Sequence, residues 1–206
     1  MDGTKRRAGS WFDRRAASYE GGFTSRWRDP LQQASFDALE LSADDRLLDV
    51  GCGTGWASRT AADIAGSVVG IDLSPGMIAE ARGLAAGVPS VGFAIADAED
   101  LPFADGTFTA VLCTNAFHHY PQPERAIREM TRVLATGGRL VLGDACSDRW
   151  AARIADSFLR RFEPGHVRLY RSAELGSFAQ GADLSKVQLR RVSGGGMAIV
   201  RGVRAA

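Results

Sequence analysis

Lysine is nearly missing from this chain. Only Lys5 and Lys186 occur, so almost all of the 25 basic side chains are arginine, and 24 acidic ones offset them to a formal charge of +1. No basic field covers the whole surface, which excludes the usual electrostatics of nucleic-acid binding. Cysteine is scarce too. Cys52, Cys113 and Cys146 are odd in number, far apart and without a C-x-x-C pair, which leaves neither a disulfide framework nor a zinc motif and is the usage expected of reduced cytoplasmic thiols. There is no run of ~18 apolar residues, and no apolar segment follows Lys5, Arg6 and Arg7, so neither a membrane span nor a secretory leader is expected. Repeats and low-complexity tracts are absent. What remains is 206 residues, 45% hydrophobic and 24% charged, ordinary globular composition below the ~250 residues at which cores divide, and therefore one expected domain over 1–206.

From Arg46 onward, short β-rich runs alternate with helical stretches, the rhythm of a mostly parallel sheet with crossover helices. Strands are predicted at Leu47–Val50, Val68–Asp72, Val91–Ala96, Phe108–Thr114, Leu140–Asp144, Val187–Val192 and Met197–Val203, seven in all. Ser74 is placed to cap a helix opening with Pro75. A second helix should begin at Pro123-Glu124, present Ile127, Met130, Val133 and Leu134 on one face, and stop at Gly137-Gly138. A further helix runs through Ile154, Phe158 and Leu159 to a break at Pro164-Gly165, and 163–185 carries no clear pattern. Gly194-Gly195-Gly196 reads as a hairpin turn between the last two strands. The first 40 residues show no strand signal, yet hold Trp11, Phe12, Tyr19, Phe23 and Trp27, too many aromatics for a solvated tail. They read as a helical segment lying over the sheet's edge or over a ligand.

The sharpest feature is Leu48-Asp49-Val50-Gly51-Cys52-Gly53-Thr54-Gly55, a buried strand running into a glycine-rich turn. Glycines permit positive φ and let bare backbone approach a ligand, and a following helix start offers N–H groups to an anion. A dinucleotide fingerprint would have its third glycine three residues after the second, where this chain has Trp56. Asp49, just before the turn, suits a ligand carrying a positive group better than one offering phosphates alone.

With Val69-Gly70-Ile71-Asp72-Leu73-Ser74-Pro75, Ala96-Asp97-Ala98-Glu99-Asp100-Leu101-Pro102-Phe103, and Thr114-Asn115-Ala116-Phe117-His118-His119 ahead of the helix running from Arg128-Glu129-Met130 to Gly137-Gly138, the chain resembles the class I S-adenosylmethionine-dependent methyltransferases. The likeness covers roughly 46–144 and is strongest to the small-molecule type found in ubiquinone and menaquinone biosynthesis. Thr136 stands where that family usually has proline. The resemblance implies a Rossmann-like, doubly wound α/β fold with a seven-stranded, mostly parallel sheet. The chain is expected to divide into an N-terminal helical segment (1–40), read from its aromatics either as a lid or as completing the core, a cofactor-binding core (41–145), and an acceptor-side segment with the terminal strands (146–206).

It further implies S-adenosylmethionine as cofactor, S-adenosylhomocysteine as product, and a small-molecule acceptor reacting through O, N or C, with neither nucleic acid nor membrane as partner. Asp49, Gly51, Cys52, Gly53 and Gly55 then belong to the cofactor loop. Asp72, ending the second strand beside Leu73, can accept from both ribose hydroxyls. Asp97 can accept from the adenine amino group while the Ala98 N–H meets a ring nitrogen, and the neighbouring acids Glu99, Asp100 and Asp105 read as surface. Asn115, His118 and His119 fall at the carboxyl edge of the fourth strand, where such folds bind ligands. The two histidines are the candidates for proton abstraction, since an unperturbed imidazole titrates near neutrality. Tyr19 is the lid residue expected at the cofactor's amino-acid end, because similar enzymes place a tyrosine there. His166 is a weaker candidate for the acceptor pocket. No metal is expected, because adjacent His118 and His119 in extended chain would point to different sides. Three rivals share these signals: use of the bound cofactor for a non-methylating cyclisation or rearrangement, a cofactor-sensing binding module, and a nicotinamide-dependent oxidoreductase, against which Trp56 and Asp97-Ala98 count. The sequence fixes neither the acceptor nor the oligomeric state.

Overall fold

The computed structural model describes residues 3–20 and 25–205, with the side chains of 25–29 and of Ser193 also outside the described residues. A seven-stranded sheet runs in the order β3-β2-β1-β4-β5-β7-β6. Its strands are β1 (Arg46–Val50), β2 (Ser67–Asp72), β3 (Val91–Ile95), β4 (Phe108–Thr114), β5 (Leu134–Ala145), β6 (Leu184–Val192) and β7 (Met197–Arg204). The first five are parallel, β7 is antiparallel to β5, and β6 is antiparallel to β7. The helices are α1 (Gly3–Asp13), α2 (Ser25–Asp37), α3 (Trp56–Ala61), α4 (Pro75–Leu84), α5 (Pro123–Val133), α6 (Trp150–Phe162) and α7 (Ser172–Gln180).

Alternating side chains send each central strand into two cores. Leu48, Val111, Leu140 and Leu142 join Ile127 and Met130 of α5 and Leu175 of α7 on one face. Leu47, Ala110, Leu112 and Val141 join Leu31 of α2 and Ala57 of α3 on the other. Strand order reverses between β1 and β4, so the loops leaving their carboxyl ends diverge and open a crevice there. The expected α4 start is present, with Ser74 Oγ accepting from Met77 N at 3.1 Å and Pro75 in the first turn.

Two elements differ from the sequence reading, and the expected helix through Ile154, Phe158 and Leu159 is present as α6. α5 ends at Val133, and Gly137-Gly138 lie inside β5. Gly137 sits at φ 76° where the pairing of β5 with β4 shifts register, so the glycines serve a bulge rather than a helix stop. α7 occupies part of the unread stretch, burying Leu175 and Ala179. On α6 the apolar positions Trp150, Ile154, Phe158 and Phe162 face outward. The hairpin turn is as expected, with Gly194 and Gly195 at φ 63° and 88°.

Candidate functional site

At the crevice the chain leaving β1 turns sharply, because Gly51 N and Cys52 N both donate to Ile71 O at 2.8 and 2.9 Å. Gly51 must be glycine twice over: its φ is 73°, and a Cβ would lie 2.5 Å from Ala116 Cβ and 3.0 Å from the Tyr120 hydroxyl. Gly53 N donates to Asp72 Oδ2 at 3.0 Å, and Ser74 N to Asp72 Oδ1 at 2.9 Å. The carboxylate at the end of β2 thus stitches the glycine loop to the start of α4. Burial pushes its pKa up and nearby Asp13 adds to this, against the backbone donors that pull it down.

A cavity of about 740 Å³, counting its open mouth, lies over this junction, within the ~300–1,000 Å³ typical of small-molecule sites. Of the candidate residues, Tyr19, Gly51, Gly53, Asp72 and Leu73 line it, as do Asp97, Ala98, Asn115 and His119. Asn115 holds a non-glycine φ of 51°, and its Nδ2 is buried without a partner. The amide donor is therefore available on the cavity wall.

Five candidates lie off the wall, His166 among them. Asp49 is 1% exposed beneath the loop, where it accepts from Ser58 Oγ at 2.6 Å. Burial, with the charge of Asp72 in addition, pushes its pKa up to about 6. Gly55 is dictated by packing: at φ 81°, a Cβ would come within 2.7 Å of the Phe93 ring. Cys52 is half-buried and free, and burial raises its pKa. His118 sits behind the wall. The helix start expected to offer an anion site is short, since α3 has six residues.

The N-terminal segment supplies the cavity's other wall through Lys5, Ala8, Gly9 and Phe12 of α1 and through Tyr19. Polar contacts hold it. Lys5 Nζ donates to Asp97 Oδ2 at 2.7 Å and also pairs with Glu99, while Asp13 Oδ1 accepts from Ser74 Oγ at 2.5 Å and Gly76 N at 2.8 Å. Beyond α1, Glu20 accepts from Thr54 Oγ1 at 2.7 Å and from Arg59 at 2.8 Å. Trp11, Phe12 and Tyr19 are only half-buried, whereas Phe23 and the Trp27 side chain lie outside the described residues. Glu99 corrects the sequence reading. It is 1% exposed and accepts from Gln122 N at 2.7 Å, while Asp100 and Asp105 are on the surface as expected.

The histidines also depart from expectation. Phe117–His119 form a 3-10 turn rather than extended chain, so His118 and His119 share a side, with ring centroids 4.0 Å apart and the His166 ring 5.4 Å from His118. His118 Nδ1 bonds Asp144 Oδ1 at 2.7 Å, and its backbone N–H donates to the other oxygen at 2.9 Å. Burial opposes an imidazolium there, but Asp144, with Glu163 and Asp156 adding to it, raises the pKa overall. His119 is held well below the usual range by burial and by His118. Its Nδ1 bonds Gly165 O at 2.9 Å and Phe12 packs edge-on to its ring at 5.1 Å. Lys5, Asp13, Glu20 and Asp144 were not singled out from the sequence. Lys5 had a signal in lysine's scarcity and Asp144 in its place at the end of β5, while Asp13 and Glu20 had none.

Residues 48–142 match the model of the methyltransferase domain family. A demethylmenaquinone methyltransferase of Clavibacter sepedonicus is 30% identical over 217 aligned positions, covering 96% of this chain and 87% of the relative. The enzyme of the same name from Beutenbergia cavernae is 37% identical over 130 residues, 63% of this chain. The chain spans about half of that relative's length (51%). The solved YcgJ protein of Bacillus subtilis shares the fold, with a TM-score of 0.77 at 21% identity, covering 86% of this chain and 99% of that one. By its near full-length similarity to the Clavibacter enzyme, the chain belongs to the class I S-adenosylmethionine-dependent methyltransferase family.

Proposed function

We propose that this protein transfers the methyl group of S-adenosylmethionine to an O, N or C nucleophile of a small molecule. One observation carries the reading: a single cavity at the sheet's switch point gathers the Asp72 carboxylate, the backbone of Gly51 and Gly53, and the unpartnered Asn115 amide. The residues suit the cofactor. Asp72 uses one lone pair per oxygen on backbone N–H groups and keeps the others for ribose hydroxyls. The Asp97 carboxylate and the Ala98 N–H serve the adenine end, Leu73 packs between, and Gly51, Gly53, Asn115 and Tyr19 serve the amino-acid end. Asp49 contributes negative potential from below, favouring a cationic ligand, while Cys52 and Gly55 shape the loop. When bound, S-adenosylmethionine supplies an electrophilic methyl on a sulfonium, and S-adenosylhomocysteine is the product.

His119 faces the acceptor. With Nδ1–H donated to Gly165 O, its Nε2 lone pair is free to take the acceptor's proton. Behind it, Asp144 favours the charged form of His118 and fixes its ring. The α1 segment acts as a lid: it buries only Ala8, so it adds little to the core, and its anchors are charged. Closure excludes water from the sulfonium. The acceptor is small, the relatives being named for small molecules, and no helix of the described residues is long and apolar enough to cross a membrane. We place the protein in the cytoplasm.

Incubation with S-adenosylmethionine and a panel of phenols, quinones, amines and thiols tests this. Release of S-adenosylhomocysteine with a methylated product is expected. A transformed acceptor with the cofactor intact would replace transfer by rearrangement.

A further inference from the structure

The chain has three histidines, and the fold brings all of them together although His166 lies far along the sequence. One nitrogen of each ring lies within 4.8 Å of those of the other two. Each ring is also anchored through one nitrogen: His118 Nδ1 to Asp144 at 2.7 Å, His119 Nδ1 to Gly165 O at 2.9 Å, and His166 Nε2 to Asp156 Oδ1 at 2.8 Å. A carboxylate or carbonyl behind each imidazole is the arrangement that fixes tautomer and orientation in metal sites.

The bonds leave His118 Nε2, His119 Nε2 and His166 Nδ1 to offer lone pairs. His166 Nδ1 is the telling one. Its side chain is 0% exposed, and this nitrogen has no hydrogen-bond partner, an arrangement that costs stability unless something binds it. Glu163 Oε1 stands 3.9 Å from His119 Nε2 and adds an oxygen donor.

We propose that His118, His119 and His166, with Glu163, form a binding site for one divalent transition-metal ion of the zinc type. Imidazole ligands suit zinc, cobalt and nickel, whereas calcium and magnesium prefer oxygen. Tetrahedral bonds of about 2.0–2.1 Å put ligand nitrogens about 3.4 Å apart, so modest side-chain rotation closes the cluster around an ion. Burial already keeps His119 and His166 neutral, as ligands must be. At His118, which Asp144 holds toward the charged form, the ion displaces a proton. An ion on His119 Nε2 occupies the lone pair assigned above to the acceptor's proton, so metal inhibits turnover. That consequence rests on the methyl-transfer reading, whereas the site itself does not.

The test is titration of the full-length, tag-free, chelator-stripped protein with Zn²⁺ against a chromophoric chelator, and with Co²⁺ by visible absorption. One ion per chain is expected, with the d–d bands of a four- or five-coordinate cobalt centre. Both His166→Ala and His119→Gln should raise the Kd at least tenfold, and Asp156→Asn by roughly 10- to 100-fold. His119→Gln alters a half-buried ring, so it reports even if the buried His166→Ala variant does not fold, and a cooperative melt verifies each variant. Failure to bind one Zn²⁺ or Co²⁺ per chain overturns the site, as does binding that His119→Gln and every folded variant among the others leave unchanged. A chain that methylates an acceptor but holds no ion refutes the site alone. One that holds the ion but neither binds S-adenosylhomocysteine nor releases it refutes the methyl-transfer reading alone.

Discussion

Replacing Asp49 with asparagine is expected to stabilise the protein at neutral pH while weakening its hold on S-adenosylmethionine. The carboxyl is buried, its hydrogen-bonding partner is the Ser58 hydroxyl at 2.6 Å, and its pKa is pushed up from 3.8 to about 6. A rise of roughly two units corresponds to about 3 kcal/mol of destabilisation once both states are ionised. That is a ceiling, because a buried amide has its own desolvation cost. A gain of ~1–2 kcal/mol, or a Tm higher by about 2–8 °C for a chain this long, is a reasonable expectation. The sign follows from a folded-state pKa raised above the unfolded one. Below about pH 4 both states are protonated and the penalty is absent, it grows as pH rises to about 6, and it is constant above that. Thermal melts of both proteins from pH 4 to 8 should therefore diverge with rising pH, and calorimetry at pH 7.5 should show weaker cofactor binding by the variant. Melting curves that stay parallel over this range would refute the claim that Asp49 is an ionised, uncompensated charge under the loop.

Asp72→Ala should raise the cofactor Kd by roughly 10- to 150-fold, the loss of hydrogen bonds to a charged acceptor being ~1.5–3 kcal/mol; an unchanged Kd in a folded variant removes the ribose assignment. Asp144→Asn should lower the His118 pKa, read by NMR titration of the ring, and with it the stability that the raised value confers below the ordinary imidazole pKa and that is lost as pH rises through the folded one. Deleting residues 1–30 should leave a cooperative melt with poor cofactor retention and little activity; an aggregating product would instead make the segment part of the core, and normal turnover would make it dispensable. Chelator should leave methyl transfer intact or raise it, and loss of turnover restored by a divalent ion would give the metal a catalytic role.

The doubly wound sheet was legible because burial on both faces imposes continuous apolar strands, and because Ser74-Pro75 and the glycine turn carry their own punctuation. Gly137-Gly138 misled because glycine serves a helix stop and a bulge equally well, and only pairing with β4 decides between them. Much of the cavity wall was readable from residues at the carboxyl ends of strands. The anchors of the N-terminal segment were not: Lys5, Asp13 and Glu20 gain meaning only from partners far along the chain, at Asp97, Ser74 and Thr54. The histidine cluster escaped for the same reason, compounded by a 3-10 turn where extended chain was assumed.

The most direct test of the central claim is calorimetric titration of the purified chain with S-adenosylhomocysteine, repeated on Asp72→Ala and in the presence of S-adenosylmethionine. Saturable one-to-one binding, competed by S-adenosylmethionine and weakened at least tenfold by the substitution, is predicted. Absence of binding to the folded protein, or binding that Asp72→Ala leaves unchanged, would contradict the assignment of this cavity to the cofactor.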